Sequence, residues 1–225
     1  MMRIIFGLFI LLFAEVCVAQ QNDWGIWTTV DIEKKLNKKW NADAGLEYRT
    51  KDGTSLTDQI RGSFGVDYQQ WKYLKFGAVY TLIADKKQKR DIFMQRHRFS
   101  LDATASYKFN RFKASWRPRL QATFYDESEM DADELDNYRW VARNRFSLNY
   151  NVPKLPLKPY AQIELFNRIF SDLTPGYYKN RFSTGVEIGI GKRHELDLGY
   201  KRDSELSNDK SFRFDAVSVG YKLNY

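Results

Sequence analysis

Segments of about ten residues in which apolar and polar side chains alternate recur along the whole chain. The last of them, residues 217–225, places Val217 and Tyr221 on one face and Ser218 and Lys222 on the other. A period of two is typical of a β-strand with one apolar face. Because about ten residues are what a tilted strand needs to cross the hydrocarbon layer, the pattern predicts an all-β fold, an antiparallel transmembrane β-barrel.

Residues 1–19 carry the features of a secretory signal peptide. Arg3 supplies a positive charge, residues 4–13 form an apolar run too short for a membrane-spanning helix, and small residues precede a cleavage site near Ala19. We therefore predict a mature barrel domain over residues 20–225. No cysteine follows the signal peptide, which excludes disulfides and thiolate metal sites from the mature chain.

The composition resembles that of a soluble protein, with 28% charged residues and a mean hydropathy of −0.58. A barrel accommodates these charges because lumen and loop residues face water while alternate residues form the lipid-facing band. The aromatic content of 16% is typical of girdles at the membrane interfaces. A net charge of +8 is typical of chains that bind nucleic acid. The signal peptide, however, directs this chain out of the compartment that holds nucleic acid. We expect an anionic lipid or lipopolysaccharide surface instead.

About eleven strands can be read along the mature chain. We predict them at residues 24–35, 40–51, 56–68, 73–83, 91–107, 111–125, 137–150, 158–169, 177–189, 193–203 and 211–225. Short turns at 37–38, 69–70, 109–110 and 189–192 alternate with longer connections at 84–90, 126–136, 170–176 and 203–209. In outer-membrane barrels the short turns face the periplasm and the long loops face outside.

The strand number raises a question, because bacterial single-chain barrels have an even number of strands. We expect ten to twelve. A change of apolar phase between Phe214 and Val217 fits a hidden bulge, and the segment around Trp24 fits either two short strands or a stretch inside the lumen. Pro118 lacks a ladder N–H and predicts a bulge or weakened pairing. The acidic loop 126–134 is interpreted as solvated, with a calcium site as the alternative.

Several short motifs follow one another in the order and spacing of a known family. They are the Trp24–Leu36 and Trp40–Arg49 hairpin, Arg96-His97-Arg98, Arg143-Asn144-Arg145, Asn180-Arg181-Phe182 and Leu198-Gly199-Tyr200. Across nearly the whole mature chain this arrangement resembles the outer-membrane barrel family called domain of unknown function 2490, which is common in Gram-negative bacteria. The resemblance implies the fold and the outer-membrane location, and it implies no particular activity.

One motif repeats within the chain: Arg-x-Arg-Phe-Ser-Leu begins at Arg96 and at Arg143, with a shortened copy around Arg181. Because Phe and Leu share the lipid-facing phase, the arginines and serines are predicted to point into the lumen. Arg61 and Arg213 occupy similar positions, so five alternate strands would carry arginine at one height. The candidate residues lining the lumen for a ligand or ion are Arg61, Arg96, Arg98, Arg117, Arg119, Arg143, Arg145, Arg181, Arg213, Asp102 and Glu164.

Acidic partners are predicted for only part of this arginine belt. The assumed turn centres place Asp102 opposite Arg117 and Glu164 opposite Arg145. Four arginines lack a carboxylate directly opposite: Arg96, Arg98, Arg119 and Arg143. Such charges are costly in a narrow lumen unless water, another carboxylate or a bound anion satisfies them. Two interpretations stay open, a salt-bridged plug that stiffens the barrel and a pore or pocket that attracts anions.

A hydrolase would need a nucleophile, a histidine and a carboxylate close together. His97 is predicted on the lipid-facing side near the outer rim, with Ala78 and Ala122 as cross-strand neighbours, and His194 near a periplasmic turn. Their separation argues against catalysis, with a lipid hydrolase based on His97 as the enzymatic alternative. We predict no catalytic residue, no metal site and no cofactor.

These observations together predict a non-enzymatic outer-membrane β-barrel that is either structural or a narrow pore or pocket favouring anions. The alternatives are an outer-membrane lipid hydrolase or deacylase and a barrel that binds through its external loops. Expected partners are outer-membrane lipid or lipopolysaccharide and a small anionic solute. We also expect the barrel assembly machinery to bind the strand at 217–225, because its aromatic carboxy-terminus resembles the assembly signal of such barrels.

Overall fold

The computed structural model describes residues 22–125, 138–170, 175–206 and 211–225, which form one closed β-barrel. Its strands are β1 (Asn22–Lys35), β2 (Trp40–Lys51), β3 (Leu56–Trp71), β4 (Leu74–Lys87), β5 (Ile92–Phe109), β6 (Phe112–Tyr125), β7 (Tyr138–Tyr150), β8 (Leu157–Phe170), β9 (Gly176–Ile190), β10 (His194–Leu206) and β11 (Ser211–Asn224). No helix in the described part of the chain is long and apolar enough to span a membrane. The predicted signal peptide and the acidic loop 126–134 lie outside the described residues.

The parallel pairing of β1 with β11 closes the barrel. An odd number of alternating strands begins and ends in the same direction, so these two strands pair in parallel, from Asn22 opposite Arg213 to Glu33 opposite Asn224. All other neighbours pair antiparallel. The eleven strands lie within the predicted range, but the expectation of an even number is wrong. The segment around Trp24 is one strand of the wall.

Strand β11 contains no bulge, which corrects the interpretation of its apolar phase. Its register against β10 runs without a shift from His194 opposite Leu223 to Leu206 opposite Ser211. Phe214 therefore points into the lumen, while Val217 lies on the outer face with 49% of its surface exposed. In the first half of β11 the apolar side chains face the lumen, and in the second half they lie on the outer face.

Pro118 weakens the pairing of β6 with β5 and leaves the register unchanged. The paired residues pass from Asp102 opposite Arg119 directly to Ala105 opposite Trp116, without the two pairs between them. On its other side, Pro118 keeps its partner Asn144 on β7. Weakened pairing is confirmed here, and a bulge is not present.

Two ends of the barrel are distinguished by their connections. The short-turn end carries residues 36–39, 72–73, 110–111, 151–156 and 191–193, and the opposite end, at which β2, β4, β6, β8 and β10 finish, is called the long-loop end. Several connections differ from the predictions: β3 continues to Trp71, β4 to Lys87 and β10 to Leu206, and the turn between β5 and β6 lies at 110–111. Strand β4 is longer than its apolar pattern suggests because Asp85, on its lumen side, accepts hydrogen bonds from Gln59 and Arg96.

The outer face is apolar around the barrel. Leu46, Phe64, Leu101 and Trp116 on four different strands are all exposed there. Near the short-turn end, aromatic rings pair across neighbouring strands, as in Trp40 with Tyr68, Phe109 with Phe112, and Phe112 with Tyr150. Soluble monomers rarely expose large contiguous apolar surfaces.

Candidate functional site in the lumen

Inward-pointing side chains divide the lumen into two halves. Near the long-loop end, large apolar side chains fill the interior, and each exposes at most 6% of its surface: Trp27, Ile83, Met94, Val141 and Phe166. We call these residues and the charged groups that contact them the plug. Near the short-turn end a cavity of about 1040 Å³ remains, which we call the vestibule.

The indole of Trp27 is the centre of the plug. The guanidinium carbons of Arg49 and Arg181 lie 3.5 and 4.6 Å from its ring centroid. The ammonium of Lys201 lies 5.3 Å away, and the Phe214 ring stacks at 6.0 Å. Cations over an indole ring are attracted by its quadrupole, and the attraction is stronger where water is excluded. Trp27 therefore attracts cations from β2, β9 and β10 toward the interior of the barrel.

Carboxylates neutralise the cations of the plug. Asp203 accepts hydrogen bonds from Nε and Nη2 of Arg181 at 2.5 and 2.7 Å, and its distance to Lys179 Nζ is 2.8 Å. On β2, Glu47 contacts Arg49 at 2.7 Å and Arg61 at 3.3 Å. A forked arginine–carboxylate pair is strong and geometrically specific, so the plug is a paired, rigid structure rather than a set of free charges.

Eight of the nine predicted lumen arginines do lie on the inner face. They are Arg61, Arg96, Arg98, Arg117, Arg119, Arg143, Arg145 and Arg181, together with the two predicted carboxylates Asp102 and Glu164. Arg213 does not belong to this set. It shares the phase of Asp215 and Val217 on β11, so it lies on the outer face, and its predicted place in the belt is wrong.

The predicted partners of these arginines are right in one case and wrong in the other. Arg145 is opposite Glu164. Asp102 is opposite Arg119, not Arg117. Its Oδ2 accepts a hydrogen bond from Arg119 Nε at 2.8 Å.

Two further arginines reach carboxylates diagonally across neighbouring strands, which a search directly opposite misses. Arg96 pairs with Asp85, and Arg143 pairs with Glu164 at 2.7 Å. Arg98 donates from Nε to the hydroxyl of Thr123 at 3.1 Å. Most of the belt is therefore neutralised or hydrogen-bonded within the wall.

Sequence reasoning missed the residues at the core of the plug: Trp27, Arg49, Lys179, Lys201 and Asp203. A signal for Trp27 was present, since its position on β1 has the opposite parity to the exposed Trp24 and Ile26. Arg49 likewise shares its parity with Glu47. The contacts among them join strands far apart in the chain, and no local pattern contains that information.

The lining of the vestibule carries more cations than carboxylates. Its lining includes nine Lys or Arg side chains and four Asp or Glu side chains. Part of the positive charge is paired, as Lys75 is with Asp67 at 2.6 Å and Lys158 with Glu195 at 3.1 Å. Arg119 and Lys222 are paired as well, with Asp102 and Glu33, so the net excess of positive charge is smaller than the count of lining residues alone indicates.

At the inner end of the vestibule, Arg117 and Arg145 face each other directly across β6 and β7. Glu164 is their shared carboxylate, but it lies 3.8 Å from Arg117 Nη2 and holds Arg143 more tightly at 2.7 Å. The Nε atoms of Arg117 and Arg145 are both buried and have no hydrogen-bond partner among the described residues. Like charges directly opposite each other destabilise a sheet, so this pair is electrostatically unfavourable as it stands.

The two histidines lie on the outer face at opposite ends of the barrel and each contacts a tyrosine. His97 Nδ1 is 2.8 Å from the Tyr80 hydroxyl, and His194 Nδ1 is 2.6 Å from the Tyr221 hydroxyl. The residues opposite His97 are Leu82 and Phe124, which corrects the predicted alanines. Within the described residues, no group of three or more His, Cys, Asp or Glu side chains is arranged to hold a metal ion.

An up-and-down barrel of eleven strands, apolar outside and charged inside, defines the class of this protein. The chain belongs to the family described as "Protein of unknown function (DUF2490)", whose profile matches residues 24–212. The family resemblance seen in the sequence is confirmed. Comparison with curated proteins found no match.

Proposed function

We propose that this protein is a non-enzymatic outer-membrane barrel that binds small anions in a vestibule open at the periplasmic end, and that its lumen is not a through-pore. The apolar outer face and its aromatic pairs support the membrane location. The short-turn end is assigned to the periplasm because outer-membrane barrels carry their short turns there. The charged interior then faces water from the periplasmic side.

The observation that carries the anion assignment is the Arg117–Arg145 pair. Both side chains line the vestibule, both have a buried Nε without a partner among the described residues, and the two nearby carboxylates, Asp102 and Glu164, pair more closely with Arg119 and Arg143. Two adjacent guanidinium groups match the oxygens of a phosphate or carboxylate, which accept charge-assisted hydrogen bonds. A bound anion would satisfy both groups and remove their mutual repulsion.

The plug supports binding rather than conduction. Trp27, Ile83 and Met94 expose 3%, 1% and 1% of their surfaces, so the long-loop half is closed by side chains as buried as those of a protein core. A solute that enters the vestibule meets this packed layer. The barrel is accordingly a one-sided receptor for anions.

The test is the binding of inorganic phosphate to the refolded protein in detergent, measured by titration calorimetry. A charge-assisted hydrogen bond is worth about 1.5–3 kcal/mol, so Arg117→Gln and Arg145→Gln should each weaken phosphate binding about tenfold or more. Arg213→Gln removes the same charge from the outer face and is the matched control. Unchanged affinity in the Arg117→Gln/Arg145→Gln double variant would overturn the proposal.

A further inference from the structure

Asp43 of β2 lines the vestibule and belongs to a second like-charge pair. It is directly opposite Glu33 of β1 in the β1–β2 register, and two carboxylates that face each other across adjacent strands repel. Glu33 is compensated, because it pairs with Lys222 of β11. Asp43 makes no hydrogen bond or ion pair with any residue that the structure describes. Its carboxylate is therefore available to a ligand.

The other carboxylates of the vestibule lining differ from Asp43 in having cationic partners. Asp67 pairs with Lys75, Asp102 with Arg119 and Glu187 with Lys158. Within the described part of the lining, Asp43 is the carboxylate without a salt bridge.

The Asp43 carboxylate lies against the backbone of the next strand. Gly65 of β3 is opposite Asp43, and a Cβ added at Gly65 would lie 2.6 Å from both carboxylate oxygens. A side chain at this position would therefore displace the carboxylate. The glycine leaves the space that the carboxylate occupies on the inner wall.

Asp43 and the Arg117–Arg145 pair border the same cavity from opposite sides. Around the closed barrel, β3, β4 and β5 separate β2 from β6 on one side, and β1, β11, β10, β9 and β8 separate β2 from β7 on the other. Strands placed in this way face each other across the lumen. The cavity therefore has a pair of guanidinium groups on one wall and an unpaired carboxylate on the opposite wall.

We propose that the ligand of the vestibule is a zwitterion, a small solute with an ammonium group at one end and a carboxylate or phosphate group at the other. The anionic end binds Arg117 and Arg145, and the ammonium end binds Asp43. The inference rests on the proposed anion site and adds the class of its ligand. One such solute supplies an opposite charge to both like-charge pairs, whereas a simple anion supplies it to one.

The experiment uses the refolded full barrel in detergent and measures binding by titration calorimetry. The probes are 4-aminobutanoate, 6-aminohexanoate and 8-aminooctanoate, each compared with its N-acetyl derivative, which keeps the carboxylate and loses the ammonium. We expect the amino form of at least one length to bind about fivefold or more tightly than its acetyl form. Inorganic phosphate is titrated into the same samples and reports on the anion site alone.

Asp43→Asn should abolish the preference for the amino form, while phosphate affinity stays unchanged or increases because a negative charge leaves the cavity. Glu187→Gln is the matched control, since it removes the same charge from the same lining and should keep the preference. Its partner Lys158 retains Glu195 at 3.1 Å, so this substitution does not release a cation into the vestibule.

A second variant displaces the Asp43 carboxylate without changing the charge. Gly65→Ala should also abolish the preference and leave phosphate binding in place. Gly62→Ala is its control, because the nearest atom to a Cβ at Gly62 is 3.8 Å away, on Leu46, and this variant should behave as the wild type. Folding of every variant is checked by its cold electrophoretic migration.

Equal affinity of each amino carboxylate and its acetyl derivative overturns the zwitterion inference even when phosphate binds. A wild-type preference in Asp43→Asn also overturns it, since the ammonium would then be held elsewhere. Loss of the preference in Glu187→Gln as complete as in Asp43→Asn would show a general effect of cavity charge and likewise contradict the inference. Absence of phosphate binding in the wild type overturns the anion site itself.

Discussion

Trp27 and Arg49 lie directly opposite each other on β1 and β2, with the guanidinium carbon 3.5 Å from the indole centroid. Both side chains are buried, at 3% and 7% exposure. Trp27 is also opposite Ser218 on β11. The contact that closes the lumen is therefore built at the seam where the first and last strands join, so plug formation and barrel closure depend on the same residues.

Trp27→Ala should destabilise the barrel and open its lumen. A buried aromatic truncated to alanine typically costs about 3–5 kcal/mol, and here three cations also lose their ring. Urea unfolding in lipid vesicles, followed by fluorescence of the remaining tryptophans, measures the loss. Trp24→Ala, at an exposed outer position, is the control and should cost less. Equal stability of the two variants would contradict the central place of Trp27.

Asp203→Asn should be far more damaging than Asp215→Asn. Asp203 neutralises Arg181 and Lys179 inside the plug, and removing one partner of a buried ion pair costs about 3–5 kcal/mol. Asp215 pairs with Arg202 and accepts a hydrogen bond from Tyr200 on the outer face, where the ion-paired side chains are more than a quarter exposed, so its loss should cost less. The same urea titration compares them, and similar losses would argue against a paired plug.

Arg145→Gln should leave the free energy of unfolding unchanged or raise it by up to about 1 kcal/mol, because it removes a like-charge cross-strand pair. The same substitution should lose phosphate affinity. A site kept for binding sacrifices stability, whereas a purely structural arginine does not. A clear loss of stability without any change in phosphate affinity would identify the pair as part of the plug.

The parallel closing pair can be tested by cross-linking, since no native cysteine follows residue 17. Thr28 is opposite Val219 in the β1–β11 register, and adjacent strands bring their Cα atoms within the range that a disulfide spans. The pair Thr28→Cys with Val219→Cys should oxidise readily. Thr28→Cys with Tyr221→Cys, displaced by two residues, should not. Preferential cross-linking of the second pair would mean a different closure.

Strand phase was predictable from the sequence because the β-pleat fixes a period of two, and this period places eight of the nine arginines correctly. Partners were less predictable because they depend on the centre of each turn. The β5–β6 hairpin turns at Asn110 and Arg111, where Asn110 has a φ of 52°, and an assumed turn one residue earlier shifts every partner by two. Asp102 was therefore assigned to Arg117 instead of Arg119.

Closure and the plug lay beyond the reach of local patterns. The pairing of β1 with β11 joins the two ends of the chain, and nothing in the alternation of either strand specifies its partner. Trp27 meets Arg181 and Lys201 only because closure brings β1 close to β9 and β10. Alternation separates inner from outer residues, but it does not reveal which inner residues meet across the lumen.

The most direct test of a plugged barrel with a one-sided vestibule is the conductance of the refolded protein in a planar bilayer under a salt gradient. Protein whose folding has been verified by its cold electrophoretic migration should carry no steady ion current. Trp27→Ala should introduce current that wild-type protein lacks. A steady anion-selective current through the wild-type barrel would show that the lumen is open and would contradict the account.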